Sequence, residues 1–305
     1  MADNIITLKS DISGVRIDKF ISDNLENQSR SYVQKLIEDG LVTLNEKPVK
    51  AKYKVKIGDE FNIVIPEAEE LDIVAEDIPL DIIYEDNDIL VVNKPKGMVV
   101  HPAPGHYTGT LVNAIMYHCK DNLSGINGVL RPGIVHRIDM NTTGSLLVCK
   151  SDKAHQIMAD KFKVHDLTRK YHCIVHGNIK EDEGVINSPI GRHPIDRKKM
   201  STKCKNGRNA ITHYKVLKRF GNYTYVECQL ETGRTHQIRV HMASIGHPVL
   251  GVDVYGPSKC PFKLDGQTLH AKILGIEHPI TGEYMEFDAP LPEYFEKLLK
   301  KLENK

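Results

Sequence analysis

Apolar residues along the chain change their spacing several times, and each change marks an element. Residues 1–13 carry Ile5, Ile6 and Leu8 and are expected to form a strand-like N-terminal arm. Ile17, Phe20, Ile21 and Leu25 then recur at helical spacing. Ser29 can cap a second helix, whose apolar face is Tyr32, Val33, Leu36 and Ile37 and whose end is Gly40. Val42 and Leu44 alternate as a strand, Asn45-Glu46-Lys47 turns, and Phe61, Ile63 and Ile65 alternate again after Gly58-Asp59. The pattern predicts a small helix-helix-strand module over 14–66.

Residues 67–81 break the pattern. Glu67, Glu69, Glu70, Asp72, Glu76, Asp77 and Asp81 with interspersed prolines read as an exposed acidic linker. From Ile82 to residue 305 the alternation of strand-like and helix-like runs predicts a long α+β domain. Ile89–Val92 is a buried strand, followed by turn chemistry in Asn93-Lys94-Pro95-Lys96-Gly97. Thr110 to His118 reads as a helix, and Asp152 can cap another that bears Ala154, Ile157, Met158 and Phe162. In the strand Lys170–Val175, parity puts Tyr171 on the face of Cys173 and Val175. Tyr225–Leu230 is a strand, and Thr235 can cap a helix with Ile238, His241 or Met242, and Ile245 inward. Tyr294, Phe295, Leu298 and Leu299 give a terminal helix that docks on the body.

Between two apolar runs lies the loop Gly133–Val148, with His136, Arg137 and Asp139. Flanking strands would hold such a loop rigid while leaving its charges accessible. Charge elsewhere is equally local. The net charge is only +1. Arg16, Lys19, Arg30, Lys35, Lys47, Lys50, Lys52, Lys54 and Lys56 crowd the first module, and Arg192, Arg197, Lys198, Lys199, Lys203, Lys205 and Arg208 crowd 192–208. Such clusters suit a polyanion. The acidic linker cancels them in the total.

The six cysteines stand singly, so neither a zinc knuckle nor a redox pair is supported, and a reducing cytoplasm is expected. His101 and His106 share an irregular loop, but no carboxylate or cysteine joins them at ligand spacing, so no metal is expected. His236 and His241 are five apart, unlike a helical zinc pair. No signal peptide or membrane-length apolar run is visible.

Two resemblances join these features. Arg16-Ile17-Asp18-Lys19-Phe20, Ser29-Arg30-Ser31, Leu36–Val42, Asn45 and Gly58-Asp59 resemble the S-four-type RNA-binding domain. In that family the helix pair and its basic residues grip structured RNA. Lys94-Pro95-Lys96-Gly97, Gly109–Asn113, His136-Arg137-Ile138-Asp139 with Thr143-Gly144, Lys170-Tyr171 with Val175-His176-Gly177, and Leu230–His241 resemble, in order, the motifs of RluA-type pseudouridine synthases. The RluD-like branch is the nearest. This implies the pseudouridine synthase fold, a mixed and mainly antiparallel sheet flanked by helices and loops.

The resemblance also implies a reaction. A uridine is flipped from structured RNA, and its base is detached, turned and rejoined through carbon 5. Asp139 would be the essential carboxylate, acting by attack on the ribose or by proton removal. Arg137 would enter the stack, and Arg234 would pair with Asp139. Tyr171 would pack on the base and is a candidate base for the carbon-5 proton. Ile238 would line the uracil pocket, with His136, Gln237 and Arg239 as further substrate contacts. Lys94 and Lys96, with Arg16, Lys19, Arg30, Lys35, Lys50, Lys52, Arg197, Lys198 and Lys199, would meet RNA. No cofactor is implied. The sequence departs from the family pattern at Ile138, where Leu is usual, and at Met140-Asn141, where a basic residue and Asp are usual. The expected partner is ribosomal RNA or a pre-ribosomal particle, the expected substrate large-subunit (23S) ribosomal RNA, and the expected state a monomer. A non-enzymatic RNA-binding factor and an RNA-directed glycosidase are the competing readings. A glycosidase generally wants two flanking carboxylates, and this loop offers only Asp139.

Overall fold

The computed structural model describes residues 4–25, 30–65, 73–103, 105–120, 123–126, 132–196, 199–252, 254–257, 259–264 and 266–304. Its contacts divide the chain into two units, Met1–Leu71 and Asp72–Lys305. The expected Ser29 cap and the RNA contacts Arg197 and Lys198 lie outside the described residues.

In the first unit, β1 (Asn4–Lys9) is no free arm. It pairs antiparallel with β4 (Glu60–Ile65), and the sheet continues through β2 (Val42–Leu44) to β3 (Lys47–Pro48). Asn45 and Glu46 adopt positive φ between β2 and β3, the backbone of a tight hairpin. Helices α1 (Ile17–Asn24) and α2 (Arg30–Glu38) bury Ile17, Phe20, Ile21, Val33, Leu36 and Ile37 against Phe61 and Ile63. One charge is inside this core. Asp18 is fully buried and accepts from Arg16 Nε and Nη2 (3.0 and 2.8 Å), Arg30 Nε and Nη2 (both 3.1 Å) and Gln34 Nε2 (2.6 Å). Two of the arginines expected on RNA thus lock α1 to α2, while half of each side chain stays exposed.

The second unit is built on one mixed sheet. Among the described residues its order is β5 (Ile82–Glu85), β6 (Ile89–Lys94), β7 (Thr143–Cys149), β14 (Leu269–Glu277), β8 (Thr168–His176), β13 (Tyr223–Leu230), β12 (Ile211–Arg219) and β9 (Glu183–Asn187), with β15 (Tyr284–Asp288) also on β14. All pairings are antiparallel except β7 with β14. That parallel pair sets the two entering loops side by side. Gly144 sits where the strands cross, and a Cβ there would collide with the Ala271 carbonyl. Helix α3 (Leu111–Cys119) is closed by a capping box between Thr110 and Asn113. Helix α4 (Asp152–Val164) is capped by Ser151, not Asp152, because the Ser151 hydroxyl accepts from Ala154 N. A short hairpin, β10 (Gly191–Arg192) with β11 (Met200–Ser201), forms the base of the basic excursion. Helices α5 (Gln237–Ser244) and α6 (Glu293–Glu303) complete the unit, α6 burying Phe295, Leu298 and Leu302.

The second half of the acidic stretch is not a free linker. Ile73 is buried in the core of this unit, Asn113 Nδ2 donates to Val74 O, and Gly109 N donates to the Glu76 carboxylate. No helix among the described residues is long and apolar enough to cross a membrane.

Burial alone would raise the Asp18 carboxyl, but hydrogen bonds from Arg16, Gln34 and Arg30 outweigh it and hold the group well below the usual carboxylate range. Asp18→Ala leaves two guanidiniums unpaired, so urea unfolding should show the first unit destabilised by about 2–3 kcal/mol. A depressed native carboxylate adds stability at neutral pH and loses it as pH falls. The gap between wild type and Asp18→Ala should therefore narrow below about pH 4.

Candidate active site

The loop into β7 is braced before any charge is placed on it. Gly133 N donates to Ser124 O, and Cys149 N donates to Gly133 O. Thr142 N then closes a turn on Asp139 O at 3.0 Å. Beneath that turn lies Lys94, the last residue of β6. It is fully buried, and its Nζ donates to the carbonyls of Pro95 (2.8 Å), Met98 (2.9 Å) and Met140 (2.9 Å). Burial pushes its ammonium down to about 7, with the Asp139 charge opposing. The expected RNA contact is therefore a strut, since all its protons are spent inside the protein. Lys96 is also engaged, donating to Gly266 O (3.3 Å) with its Nζ 4.0 Å over the Tyr294 ring. From β14's side, Gln267 Nε2 donates to the Thr142 hydroxyl at 2.6 Å.

Asp139 is half-buried, and its Oδ2 accepts from Arg239 Nη1 at 2.9 Å. Arg239 is nearly buried on α5 and lies over the Tyr255 ring at 5.2 Å. This corrects the expectation for Arg234. Arg234 lines the same pocket as Asp139, but its Nε donates to Asn209 O at 3.0 Å and its backbone N to Gln237 Oε1. The cause is where the helix begins. Thr235 does not cap it. His236 takes a left-handed conformation (φ 59°), and its ring meets the Tyr255 hydroxyl at 2.8 Å. The helix starts only at Gln237, so Arg234 stays on the preceding turn and Arg239 faces Asp139. The inner face is Gln237, Ile238, Val240, His241 and Met242, while Ile245 is 38% exposed.

Arg137, Ile138, Asp139, Tyr171, Arg234, Ile238 and Arg239 line one pocket. Leu230, Ile238 and Leu269 give it apolar walls. The Tyr171 hydroxyl has no hydrogen-bond partner among the described residues, and burial raises its pKa, with Arg169 opposing. Arg137 is exposed at the rim and makes no hydrogen bond or ion pair with the described residues. Two expected substrate contacts are spent elsewhere. Gln237 bonds Thr232, Arg234 N, Ile211 O and Thr212, tying the turn to β12. His136 accepts Leu147 N–H on Nε2 (2.8 Å), stacks on Phe162 (4.2 Å) and is not among the pocket's lining residues. An acceptor Nε2 requires the neutral ring, and burial pushes this histidine down to about 3.

Several residues were not anticipated in these places: Lys94 as a strut, Tyr255 under Arg239, and Arg169 beside Tyr171. Only Arg169 carried a signal, since it shares the parity of Tyr171 on β8. In the first unit Lys47, Lys50, Lys52 and Tyr53 line a shallow surface depression. Lys199 faces Asp196 at 3.8 Å.

The pocket thus joins a guanidinium-held carboxylate, a tyrosine and apolar walls, with an arginine at the rim that has no partner among the described residues. Comparison with known proteins makes the class specific. The family model for RNA pseudouridylate synthase matches residues 88–244, and that for the S4 domain matches residues 15–61. An RNA pseudouridine synthase of Bacillus subtilis (strain 168), itself described as uncharacterized, is 54% identical over 297 residues, covering 97% of each chain. The ribosomal large subunit pseudouridine synthase D of Zymomonas mobilis is 43% identical, covering 97% of this chain and 96% of that one. The solved structure of human RNA pseudouridylate synthase domain containing 1 matches with a TM-score of 0.57 at 25% identity, over 79% of this chain and 98% of that one. The chain belongs to the RNA pseudouridylate synthase family, whose members are isomerases.

Removing Arg239 leaves Asp139 without its partner. Arg239→Gln is expected to lower the single-turnover rate of pseudouridine formation by about a hundredfold or more. Arg234→Gln should lower it by about tenfold at most, mostly through RNA affinity.

Proposed function

We propose that the protein converts specific uridines of large-subunit ribosomal RNA to pseudouridine in the cytoplasm, with Asp139 as the essential carboxylate. The observation that carries this reading is the convergence of Asp139, Tyr171 and Ile238 in one pocket, with Arg239 holding the acid. The ribosomal substrate is supported by relatives from Zymomonas mobilis and Pasteurella multocida, both named ribosomal large subunit pseudouridine synthase D.

Each step then has a residue. Arg137, exposed and unpartnered among the described residues, enters the RNA stack as the uridine leaves it. The uracil passes between the Tyr171 ring and Ile238, where apolar walls exclude water. Arg239 holds Asp139 aimed through a charge-assisted hydrogen bond, so it acts on the ribose beside the glycosidic bond. The detached uracil turns within the pocket and bonds through carbon 5, and the Tyr171 oxygen, free of protein partners among the described residues, takes the carbon-5 proton while its own hydroxyl proton passes to solvent. The S4 domain, with Lys50 and Lys52 at its surface, supplies affinity for folded RNA. The glycosidase reading loses support because Asp139 is the one carboxylate among the described residues lining the pocket.

Purified protein should form pseudouridine in ribosomal RNA from a strain lacking its gene, and Asp139→Asn should form none. Mapping pseudouridines in that RNA checks both, and a blank with wild type would overturn the reading. Deleting residues 1–66 should reduce affinity for long structured RNA about tenfold or more while changing turnover of a short good substrate less than threefold. Equal loss on both substrates would count against a delivery role.

A further inference from the structure

We infer that a second cavity, next to the Asp139 pocket, binds a backbone phosphate of the substrate RNA through the Arg169 guanidinium. This rests on the reading of the protein as an enzyme acting on RNA. Arg169 stands on β8 two residues before Tyr171, on the same face of the strand. It is only 8% exposed. Its Nη2 meets His165 Nδ1 at 3.2 Å, its Nε is buried with no partner, and among the described residues no carboxylate pairs with it. A buried guanidinium without a counter-charge is expensive, and chains place one inside only where something satisfies it.

The cavity beside it, of about 270 Å³, shows what that something is. Its polar lining includes Arg137, His165, Arg169, Tyr171 and Arg234, and no acidic residue. With Arg137, Arg169 and Arg234 lining it and no carboxylate among its described lining residues, the site as it stands holds uncompensated positive charge; burial lowers the Arg169 pKa, Tyr171 opposes, and Arg234 lowers it further. His165 accepts from Arg169, which fixes the plane of the fork without neutralising it. The backbone of Gly233 closes one side: a Cβ there would come within 2.8 Å of Arg169 Nη1. A planar fork in a pocket of one sign fits a tetrahedral oxyanion. Arg137, Tyr171, Leu230 and Arg234 line both cavities, so the two are contiguous. One ligand spans them naturally: a nucleotide with its base beside Asp139 and its own phosphodiester linkage at Arg169.

The test uses short RNAs containing a uridine the wild-type protein modifies, each carrying one uncharged methylphosphonate at a linkage flanking that uridine. With wild type, one linkage should reduce kcat/KM by about tenfold or more, the loss of a charge-assisted contact. Arg169→Gln should show a similar loss on unmodified RNA and no further loss, within twofold, at that linkage. Arg169→Lys should recover part of the activity. If no linkage matters with wild type, or if its penalty persists in Arg169→Gln, the inference is wrong. A variant effect confined to the pH profile would assign Arg169 to Tyr171 instead and also overturn it. Binding of the same RNA series to wild type and to Arg169→Gln gives the same comparison without chemistry. It decides the inference even if no pseudouridine forms, a result that would overturn the reading of the reaction and not the phosphate site.

Discussion

Three carbonyl oxygens around one buried ammonium hold the centre of this molecule in place. Lys94 ties Pro95, Met98 and Met140 together, and Met140 follows Asp139 directly. A loop carrying a functional carboxylate has to be exposed and still be rigid, two demands that oppose each other in ordinary loops. Here rigidity comes from below and behind. The parallel pairing of β7 with β14 sets the loops entering both strands side by side, so Gln267 can brace Thr142 and Lys96 can bond Gly266. Antiparallel pairing at that place would send one of the loops to the opposite edge. Gly144 follows from the same constraint, since its missing side chain lets the strands close.

The charges above this base are arranged asymmetrically. Among the described residues Asp139 has one direct partner, Arg239, which also lies over the Tyr255 ring. A single ion pair at partial burial orients a carboxylate and leaves its second oxygen without a partner among the described residues. Further positive charge from Arg137, Arg234 and Arg169 surrounds the pocket without satisfying it. Such a field is unfavourable in the empty protein and becomes favourable when an anionic polymer enters, so the substrate itself completes the electrostatics.

Much of this was legible in the sequence, and each failure has its own physical cause. The strands and helices followed from apolar spacing, and the grouping of Asp139, Tyr171 and Ile238 in one pocket followed from the motif resemblance. The identity of the arginine beside Asp139 was not legible. Arg234 and Arg239 lie on one turn-and-helix segment, and which of them faces inward depends on whether the helix starts at Thr235 or Gln237. That phase is decided by His236, whose left-handed backbone is held by Tyr255, a contact from nineteen positions away. Lys94 failed for a different reason. A lysine at the end of a strand normally projects into solvent, but β6 is buried on both faces, so no alternation marked which residues were inside. The acidic stretch misled in the opposite direction. Charge suggested exposure, yet Ile73, Val74 and Glu76 dock through an apolar contact and two polar ones.

The position of Lys94 also bears on why the loop can depart from its family at Met140-Asn141. The strut grips a backbone carbonyl, so it is indifferent to the side chain at position 140, which is exposed. Asn141 faces Gly266, whose missing Cβ leaves room for the amide. Substitution of the Met140 side chain therefore leaves the strut under Asp139 in place. A scaffold that fixes the acid through main-chain atoms lets the neighbouring side chains vary.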